Sequence, residues 1–418
     1  MLANLWKRLF SSPPGRPIAR VESKFSGLET MAATALASTV EISDRKSNQD
    51  AENRPAFAIV VPRDNRKLSP NEYALAKRIC EDAKQLVLQR ESYIETHGID
   101  PAFALPDANW SYDAPVERPN EFAQLFRRVA GADIQVFENF RGFCHVFTGF
   151  SVFKAGPGFG LASANMELAA SLNDDIAESI RSKNLQFVEA WLAMIQDIPF
   201  SYLVNPPLFL GECGHLVNGV VVNFDTMTYQ ERANLIYQTG LSRWIEKVIE
   251  RRGEIRVCEI GGGYGALALW FKRVFPNCSY TIIDLPECLL FSRLYLSLTR
   301  PDVRAGAGLE PQPFGFRFVP NYMAEKIDEP FDLIINTLSM SEMNLVQVEN
   351  YVDMMKRVWL KDGGVFFEQN ADVRYMNLLC AQDILAKHFP ERKQVVLDRG
   401  KFVNGSPNIW SLHPIDLT

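Results

Sequence analysis

The sequence predicts an α/β protein in which a mainly helical N-terminal domain precedes a doubly wound, mostly parallel β-sheet with an antiparallel last strand. From residue 255 onward, strand and helix patterns alternate with short connections, which is typical of such a sheet. A glycine-rich loop follows the first of these strands, and a hairpin ends the alternation. We expect an arm at residues 1–55, the helical domain at residues 56–215 and the sheet domain at residues 216–418.

The composition is that of a globular chain with room for two to three domains. Its 418 residues are 47% hydrophobic and 22% charged, with a formal net charge of -6. This charge argues against a general nucleic-acid binder, which would carry a basic surface. The seven cysteines are scattered without a Cys-x-x-Cys pair, so we expect no disulfide framework, no zinc site and a reducing, cytoplasmic location. No apolar run is long enough to predict a transmembrane helix.

The arm at residues 1–55 is rich in serine, proline, alanine and charged residues, which predicts a linker or a disordered segment. Within residues 1–10, leucines, Trp6 and Phe10 follow helical spacing. We expect this stretch to be a frayed tail. The alternative is a short amphipathic helix that contacts a membrane surface or a partner.

The helical domain begins with a short apolar strand at residues 57–61. Ser69 and Glu72 then form a capping box, with Pro70 at the first helical position, and predict a helix to about residue 91. Helical patterns also predict one helix at residues 122–129 and two helices within residues 166–198.

The sheet domain opens with a helix that starts at a second capping box, Thr228 to Glu231, and runs to about residue 251. Apolar runs then predict seven strands, at residues 255–260, 280–283, 316–319, 333–336, 365–368, 394–397 and 408–412. Helical periodicity predicts the connecting helices, at residues 266–275, 288–298, 348–358 and 375–389.

The most informative segment is the glycine loop Gly261-Gly-Gly-Tyr-Gly265, which joins an apolar strand directly to a helix. Glycines suit a loop against which a ligand lies, because a Cβ atom would block the approach. The helix N-terminus adds N–H donors and a partial positive charge, which suit a carboxylate or a phosphate. With Ala266 as the last position, the same glycines also fit a dinucleotide fingerprint, and a turn without any ligand is a third interpretation.

Two acidic residues help to choose between these interpretations. Glu259 lies two residues before the first glycine, where it can meet the cationic amino group of a methionine moiety and would repel a pyrophosphate. Asp284 ends the second strand, where a carboxylate can accept hydrogen bonds from both ribose hydroxyls of either ligand. The loop also follows a helical domain, so the sequence favours a ligand with a methionine moiety.

At these residues the chain resembles the sugar O-methyltransferases, a class I S-adenosylmethionine-dependent family. The likeness covers about residues 200–418 and fades upstream. Four segments carry it, namely residues 259–265, residues 280–286, residues 331–343 and Asn205-Pro-Pro207 with the turn and helix near Asp225. The first two segments are typical of the superfamily, whose Rossmann-like fold has an antiparallel last strand. The element from Ser339 to Met343 indicates the narrower family.

The resemblance implies that S-adenosylmethionine is the cofactor and assigns its binding residues. Glu259 and the loop glycines Gly261, Gly262, Gly263 and Gly265 would hold the methionine part. Asp284 would bind the ribose, and Leu285 would lie against the adenine. The turn with Asn321 and Tyr322 would cover the adenine, whereas Asn336 and the residues after it would face the methyl group and the acceptor. The helical domain would lie on the acceptor side.

Three residues are candidates for the general base that a weakly nucleophilic sugar hydroxyl needs. Glu342 is the first, because it follows the fourth strand and would point into the site; a helix-capping or surface carboxylate is its alternative. His145 is the second, although a histidine among phenylalanines suits a core position equally well. Asp372, after the fifth strand, is the third, with a loop carboxylate as its alternative. No histidine has a partner at metal-ligand spacing, so we expect no metal site.

The favoured function is therefore the transfer of a methyl group from S-adenosylmethionine to a hydroxyl of a sugar or glycan. A nicotinamide-dependent oxidoreductase and a non-catalytic scaffold that keeps the cofactor fold are the alternatives. Neither the fold nor the cofactor site predicts which acceptor is used or how many chains assemble.

Overall fold

The structure is a computed structural model that describes residues 58–60, 66–106, 110, 121–147, 189–212, 214–372, 374, 378–395 and 407–417. The predicted arm at residues 1–55 lies outside the described residues. Of the two helices predicted within residues 166–198, only the last part is described, and residues 189–195 are helical.

An eight-stranded sheet forms the C-terminal half of the chain and confirms the predicted doubly wound fold. Its strands lie in the order β10-β11-β9-β8-β4-β5-β7-β6. Six of them are parallel, and β11 is antiparallel between β9 and β10. The strands are β4 Ile255–Ile260, β5 Cys278–Asp284, β6 Ala305–Ala307, β7 Phe316–Pro320, β8 Leu333–Thr337, β9 Val365–Gln369, β10 Glu391–Gln394 and β11 Asn408–Ser411.

The strand order places a topological switch point between β4 and β8. From β4 the chain moves outward through β5 to the edge strand β6, comes back one place to β7, and then crosses to β8 on the other side of β4. After β4 the chain continues toward one edge of the sheet, and after β8 it continues toward the other edge. A crevice therefore opens between the two connections, at the carboxyl ends of β4 and β8. Open α/β sheets bind their ligands at this place.

Helices and a second small sheet surround these strands. The three-stranded sheet consists of β1 Ala58–Val60, β2 Gly214–Val217 and β3 Val220–Val222, all antiparallel. The helices are α1 Pro70–His97, α2 Pro101–Ala104, α3 Glu121–Ala130, α4 Ile134–Glu138, α5 Phe140–Phe143, α6 Phe224–Gln238, α7 Leu241–Arg252, α8 Ala266–Val274, α9 Pro286–Thr299, α10 Leu345–Met354 and α11 Ala381–His388.

Each face of the large sheet carries its own hydrophobic core, because alternate side chains of a strand point to opposite faces. On β4, Ile255 and Val257 belong to one core, and Cys258 and Ile260 belong to the other. The first core also contains apolar residues of α1, α3 and α6. The N-terminal part therefore shares this core with the sheet domain, and α1 packs against α9. The division predicted at residue 215 falls inside β2.

Several element boundaries differ from the prediction for local reasons. The capping box of Ser69 and Glu72 starts α1 as expected, and α1 continues to a left-handed Gly98. The single helix predicted from Thr228 is instead two helices. The first of them, α6, starts earlier than predicted, at a capping box of Asn223 and Thr226. A left-handed Gly240 separates α6 from α7.

Among the described residues, no helix combines the length and the apolarity that a membrane span needs.

Candidate active site

A cavity opens at the carboxyl ends of β4, β5 and β8, beside the switch point. It encloses about 960 Å³ of empty space, counted to its opening into solvent. Side chains from five predicted site positions outside the glycine loop line it, namely Glu259, Asp284, Leu285, Asn321 and Glu342.

Glu259 lies at the end of β4 and is almost fully buried, with 1% of its surface exposed. The Tyr280 hydroxyl donates a hydrogen bond of 2.9 Å to its Oε2. Burial raises the pKa of Glu259 to about 7, because a charged carboxylate is costly away from water. A cationic group in the cavity would stabilise the charged form, so this position suits an ammonium.

Asp284 ends β5 on the opposite side of the glycine loop. Its Oδ2 accepts a hydrogen bond of 3.2 Å from the Gly263 N–H, and its Oδ1 accepts one of 2.8 Å from the Leu285 N–H. Burial raises the pKa of Asp284 to about 7. The backbone thus fixes the carboxylate at the cavity wall, where vicinal hydroxyls could hydrogen-bond to it.

The glycine loop is shaped by contacts with the protein itself. Gly261, Gly263 and Gly265 have positive φ angles of 75°, 57° and 88°. A Cβ atom on Gly261 would clash with Ser339, and one on Gly263 would lie 3.3 Å from Phe147. The expectation that glycine is needed only to admit a ligand is therefore incomplete, because neighbouring side chains already require it.

Asn321 follows β7 and is buried at the cavity wall. Its Nδ2 donates a hydrogen bond of 2.9 Å to the Ala104 carbonyl. Its Oδ1 has no hydrogen-bond partner within the described part of the chain. A buried acceptor without a donor costs free energy, so a ligand that offers an N–H group here would gain affinity.

Three residues predicted to bind the cofactor are not among those that line the cavity. Gly265 caps α8, and a Cβ atom there would lie 2.9 Å from the Leu296 side chain. Tyr322 is fully buried, and its hydroxyl donates to the Leu86 carbonyl. Asn336 is also fully buried, and its Nδ2 donates to the Ile260 carbonyl at 2.8 Å.

Glu342 lies in a short 3-10 helix after β8 and lines the cavity. Trp110 of the N-terminal part donates a hydrogen bond of 3.0 Å from its indole Nε1 to Glu342 Oε2. Trp110 in turn packs between Phe122 and Phe147. These three aromatic residues, here called the aromatic roof, connect the N-terminal part with Glu342 and with the glycine loop.

The other two candidate bases are placed differently. Asp372 is exposed and is not among the cavity residues; its Oδ1 accepts a hydrogen bond of 2.9 Å from Arg374 Nε. This ion pair lowers the pKa of Asp372. His145 belongs to a short 3-10 helix, Cys144–Phe147, and its side chain lies outside the described residues. In the described part of the chain, no three potential metal ligands lie together.

Several residues that line the cavity were not predicted from the sequence. Tyr229 and Arg232 come from α6, and Phe103 and Trp110 come from the N-terminal part. Trp110, for example, reaches Glu342 across more than two hundred residues of sequence. No local sequence pattern predicts such a contact.

Comparison with known proteins gives only distant likenesses. No protein-family model matches the chain, and no curated protein matches it in sequence. Precorrin-6y C5,15-methyltransferase from Geobacter metallireducens is 14% identical, over 38% of this chain and 81% of its own, with a TM-score of 0.28. Human methyltransferase-like protein 13 in complex with SAH is 16% identical, over 38% and 73%, with a TM-score of 0.28.

A third similar structure is the SAM-dependent methyltransferase from Agrobacterium tumefaciens. It is 12% identical, over 43% of this chain and 63% of its own, with a TM-score of 0.28. Likenesses of this size do not carry an activity, a ligand or a substrate over to this chain.

Proposed function

We propose that the protein is an S-adenosylmethionine-dependent methyltransferase. The observation that carries the proposal is that Glu259, Asp284 and Asn321 line one cavity around the glycine loop, and that the buried Oδ1 of Asn321 has no partner in the described part of the chain. Each suits a different part of one ligand. Glu259 suits the amino group of the methionine moiety, Asp284 the ribose hydroxyls and Asn321 the exocyclic amine of adenine.

The charge at the loop favours this cofactor over a nicotinamide dinucleotide. A Cβ atom on Gly262 would lie 3.2 Å from Glu259 Oε2, so the carboxylate lies directly behind the loop. A pyrophosphate bound at the loop would lie close to this carboxylate and would be repelled when it is charged. The ammonium of a methionine moiety would be attracted instead.

The acceptor that we propose is a hydroxyl of a sugar or glycan, as the resemblance of residues 339–343 implies. When bound, S-adenosylmethionine supplies a methyl group on a sulfonium, which the acceptor oxygen displaces in line. Glu342 would take the hydroxyl proton as the new O–C bond forms and the C–S bond breaks. The aromatic roof would keep water from the cavity and hold the acceptor against the methyl group.

A labelled-methyl transfer assay tests this proposal. Purified protein is incubated with S-adenosylmethionine, labelled on its methyl group, and a panel of nucleotide sugars and glycans. We expect label in at least one sugar product, in an amount that Glu342→Gln reduces. Transfer only to protein or nucleic acid added as controls would contradict a sugar acceptor. Stabilisation of the protein by NAD but not by S-adenosylmethionine would contradict the cofactor and favour the oxidoreductase.

A further inference from the structure

One buried cation lines the cavity, and its sequence context predicted no role for it. Arg232 lies on α6, before the sheet begins, and only 4% of its surface is exposed. Among the described residues that line the cavity, Arg232 alone carries a positive charge. Its guanidinium lies over the Tyr229 ring, 4.8 Å from the centroid.

The guanidinium is not fully satisfied by the protein. Arg232 Nε is buried and has no hydrogen-bond partner within the described part of the chain. An unsatisfied donor on a buried cation is costly, since both its charge and its N–H group have left water. Because Arg232 also lines the cavity, a ligand there can face its guanidinium, and the group that suits a guanidinium best is a planar anion such as a carboxylate.

The position of Glu259 narrows this choice. Glu259 and Arg232 carry opposite charges and line the same cavity, yet no ion pair joins them. They do interact at longer range, because the positive charge of Arg232 lowers the pKa of Glu259 against the larger effect of burial. A ligand group that carries both an ammonium and a carboxylate on neighbouring atoms can satisfy both side chains at once.

We propose that Arg232 and Glu259 together form a subsite for an α-amino acid head group, with Arg232 binding the carboxylate and Glu259 the ammonium. This inference rests on the proposed function, in which the head group belongs to the methionine part of the cofactor. Helix α6, which lies outside the sheet, then supplies half of the head-group site. Arg232 also makes the site selective against a cofactor without its carboxylate.

The test uses calorimetry with two thioethers on the full chain. S-adenosylhomocysteine carries the complete head group, and S-adenosyl-3-thiopropylamine lacks only the carboxylate. We expect the wild-type protein to bind the first about 10- to 100-fold more tightly, which is the usual worth of hydrogen bonds to a charged group. In Arg232→Met this preference should disappear, because the affinity for S-adenosylhomocysteine falls and that for the amine does not. Arg243→Met, at an exposed arginine of α7, is the matched control and should keep the preference.

The other outcomes contradict either this inference or the proposed function, and the two cases can be distinguished. Equal affinity of the wild-type protein for both thioethers overturns the inference, even if Arg232→Met fails to fold. It also falls if Arg232→Met keeps the preference, or if this variant only raises the KM for the acceptor. Binding of neither thioether by a folded wild-type protein would instead remove the proposed function itself.

Discussion

At the scale of single residues, three polar side chains of the cavity are anchored by hydrogen bonds within the protein. A backbone carbonyl anchors Asn321, Tyr280 anchors Glu259, and the N–H groups of Gly263 and Leu285 anchor Asp284. Such anchoring fixes the direction of the side chain before a ligand arrives, and preorganised groups lose less entropy on binding. Substitution of single residues should therefore distinguish those that bind the cofactor from those that act in catalysis.

Glu342 and Asp284 should divide catalysis from cofactor binding. Glu342→Gln keeps the size of the side chain and removes its ability to take a proton, so turnover should fall about 10²- to 10⁴-fold. Cofactor affinity should stay within a few-fold of wild type. Asp284→Asn should weaken cofactor binding first and slow saturated turnover less.

Steady-state kinetics and calorimetry on the two variants check this division. Loss of cofactor affinity in Glu342→Gln as large as that in Asp284→Asn would show that our assignment is wrong. Turnover at the wild-type rate would place the base elsewhere, and His145 would be the next residue to test.

The raised pKa of Glu259 predicts an unusual dependence of stability on pH. Its pKa is about 7 in the folded protein and 4.5 in the reference state, so the folded protein binds the extra proton between these values. The free energy of unfolding therefore loses this contribution as pH rises from about 4.5 to 7, by about 1 kcal/mol per pH unit. Glu259→Gln should become more stable relative to wild type over this range.

Urea denaturation of wild type and Glu259→Gln at several pH values measures this difference. The same carboxyl should make cofactor affinity fall as pH drops below about 7, since an ammonium prefers the charged form. A stability difference between the two proteins that does not change with pH would contradict the assignment.

At the scale of elements, strong periodic patterns predicted the sheet well. Strand β4 has the predicted bounds, because glycines on both sides of its apolar run mark where the strand begins and ends. Strand β6, Ala305–Ala307, has no apolar pattern and was not predicted. Strands β2 and β3 were also missed, although Asn218-Gly219 between two short apolar runs is a strong hairpin signal.

The same limit applies to the candidate site. Residues at strand ends, such as Glu259 and Asp284, were predictable because each follows a recognisable strand. Arg232 and Trp110 were not, since their places depend on how α6 and the N-terminal part pack over the sheet. The edge strand β10 shows the same effect, because its charged sequence carries no period and it begins three residues before the predicted position.

The contact between the glycine loop and the aromatic roof can be tested with two alanine variants. Gly263 and Gly253 both have positive φ angles, 57° and 79°, so alanine is strained at each. Only at Gly263 would the new Cβ atom meet a neighbour, Phe147 at 3.3 Å, whereas at Gly253 the space is open. Gly263→Ala should therefore lose more stability than Gly253→Ala and should also weaken cofactor binding about tenfold.

Thermal denaturation and calorimetry distinguish the two effects. Replacement of Phe147 by alanine in the Gly263→Ala background should recover part of the lost stability, because the contact is then removed. Equal losses in the two single variants would mean that Phe147 does not constrain the loop.

At the scale of the whole molecule, buried polar contacts join the N-terminal part to the sheet. Arg90 of α1 donates to both carboxylate oxygens of Glu287 on α9, at 3.0 Å, and both side chains are buried. Glu287 follows Asp284 by three residues. Side chains of Asn344 and Gln347 also donate to carbonyls of residues 102–105. The cavity thus depends on both parts of the chain at once.

Removal of Arg90 should destabilise the whole protein in one transition. Arg90→Met removes one partner of the buried ion pair with Glu287, a change that typically costs about 3–5 kcal/mol. Arg66→Met is the matched control, because the ion pair of Arg66 with Glu72 is exposed and should contribute less than about 1 kcal/mol. Unfolding in urea, followed by tryptophan fluorescence and by circular dichroism, should give coincident curves for each variant. Two separate transitions, of which Arg90→Met shifts only one, would mean that the two parts fold independently.

The most direct test of the account is a calorimetric titration of the purified protein with S-adenosylhomocysteine, repeated with NAD. We predict saturable binding of S-adenosylhomocysteine at one site per chain, weakened about tenfold or more by Asp284→Asn, and no binding of NAD. A folded protein that gives no saturable heat with S-adenosylhomocysteine, or that binds NAD in its place, would contradict the central claim that this cavity holds a methyl donor.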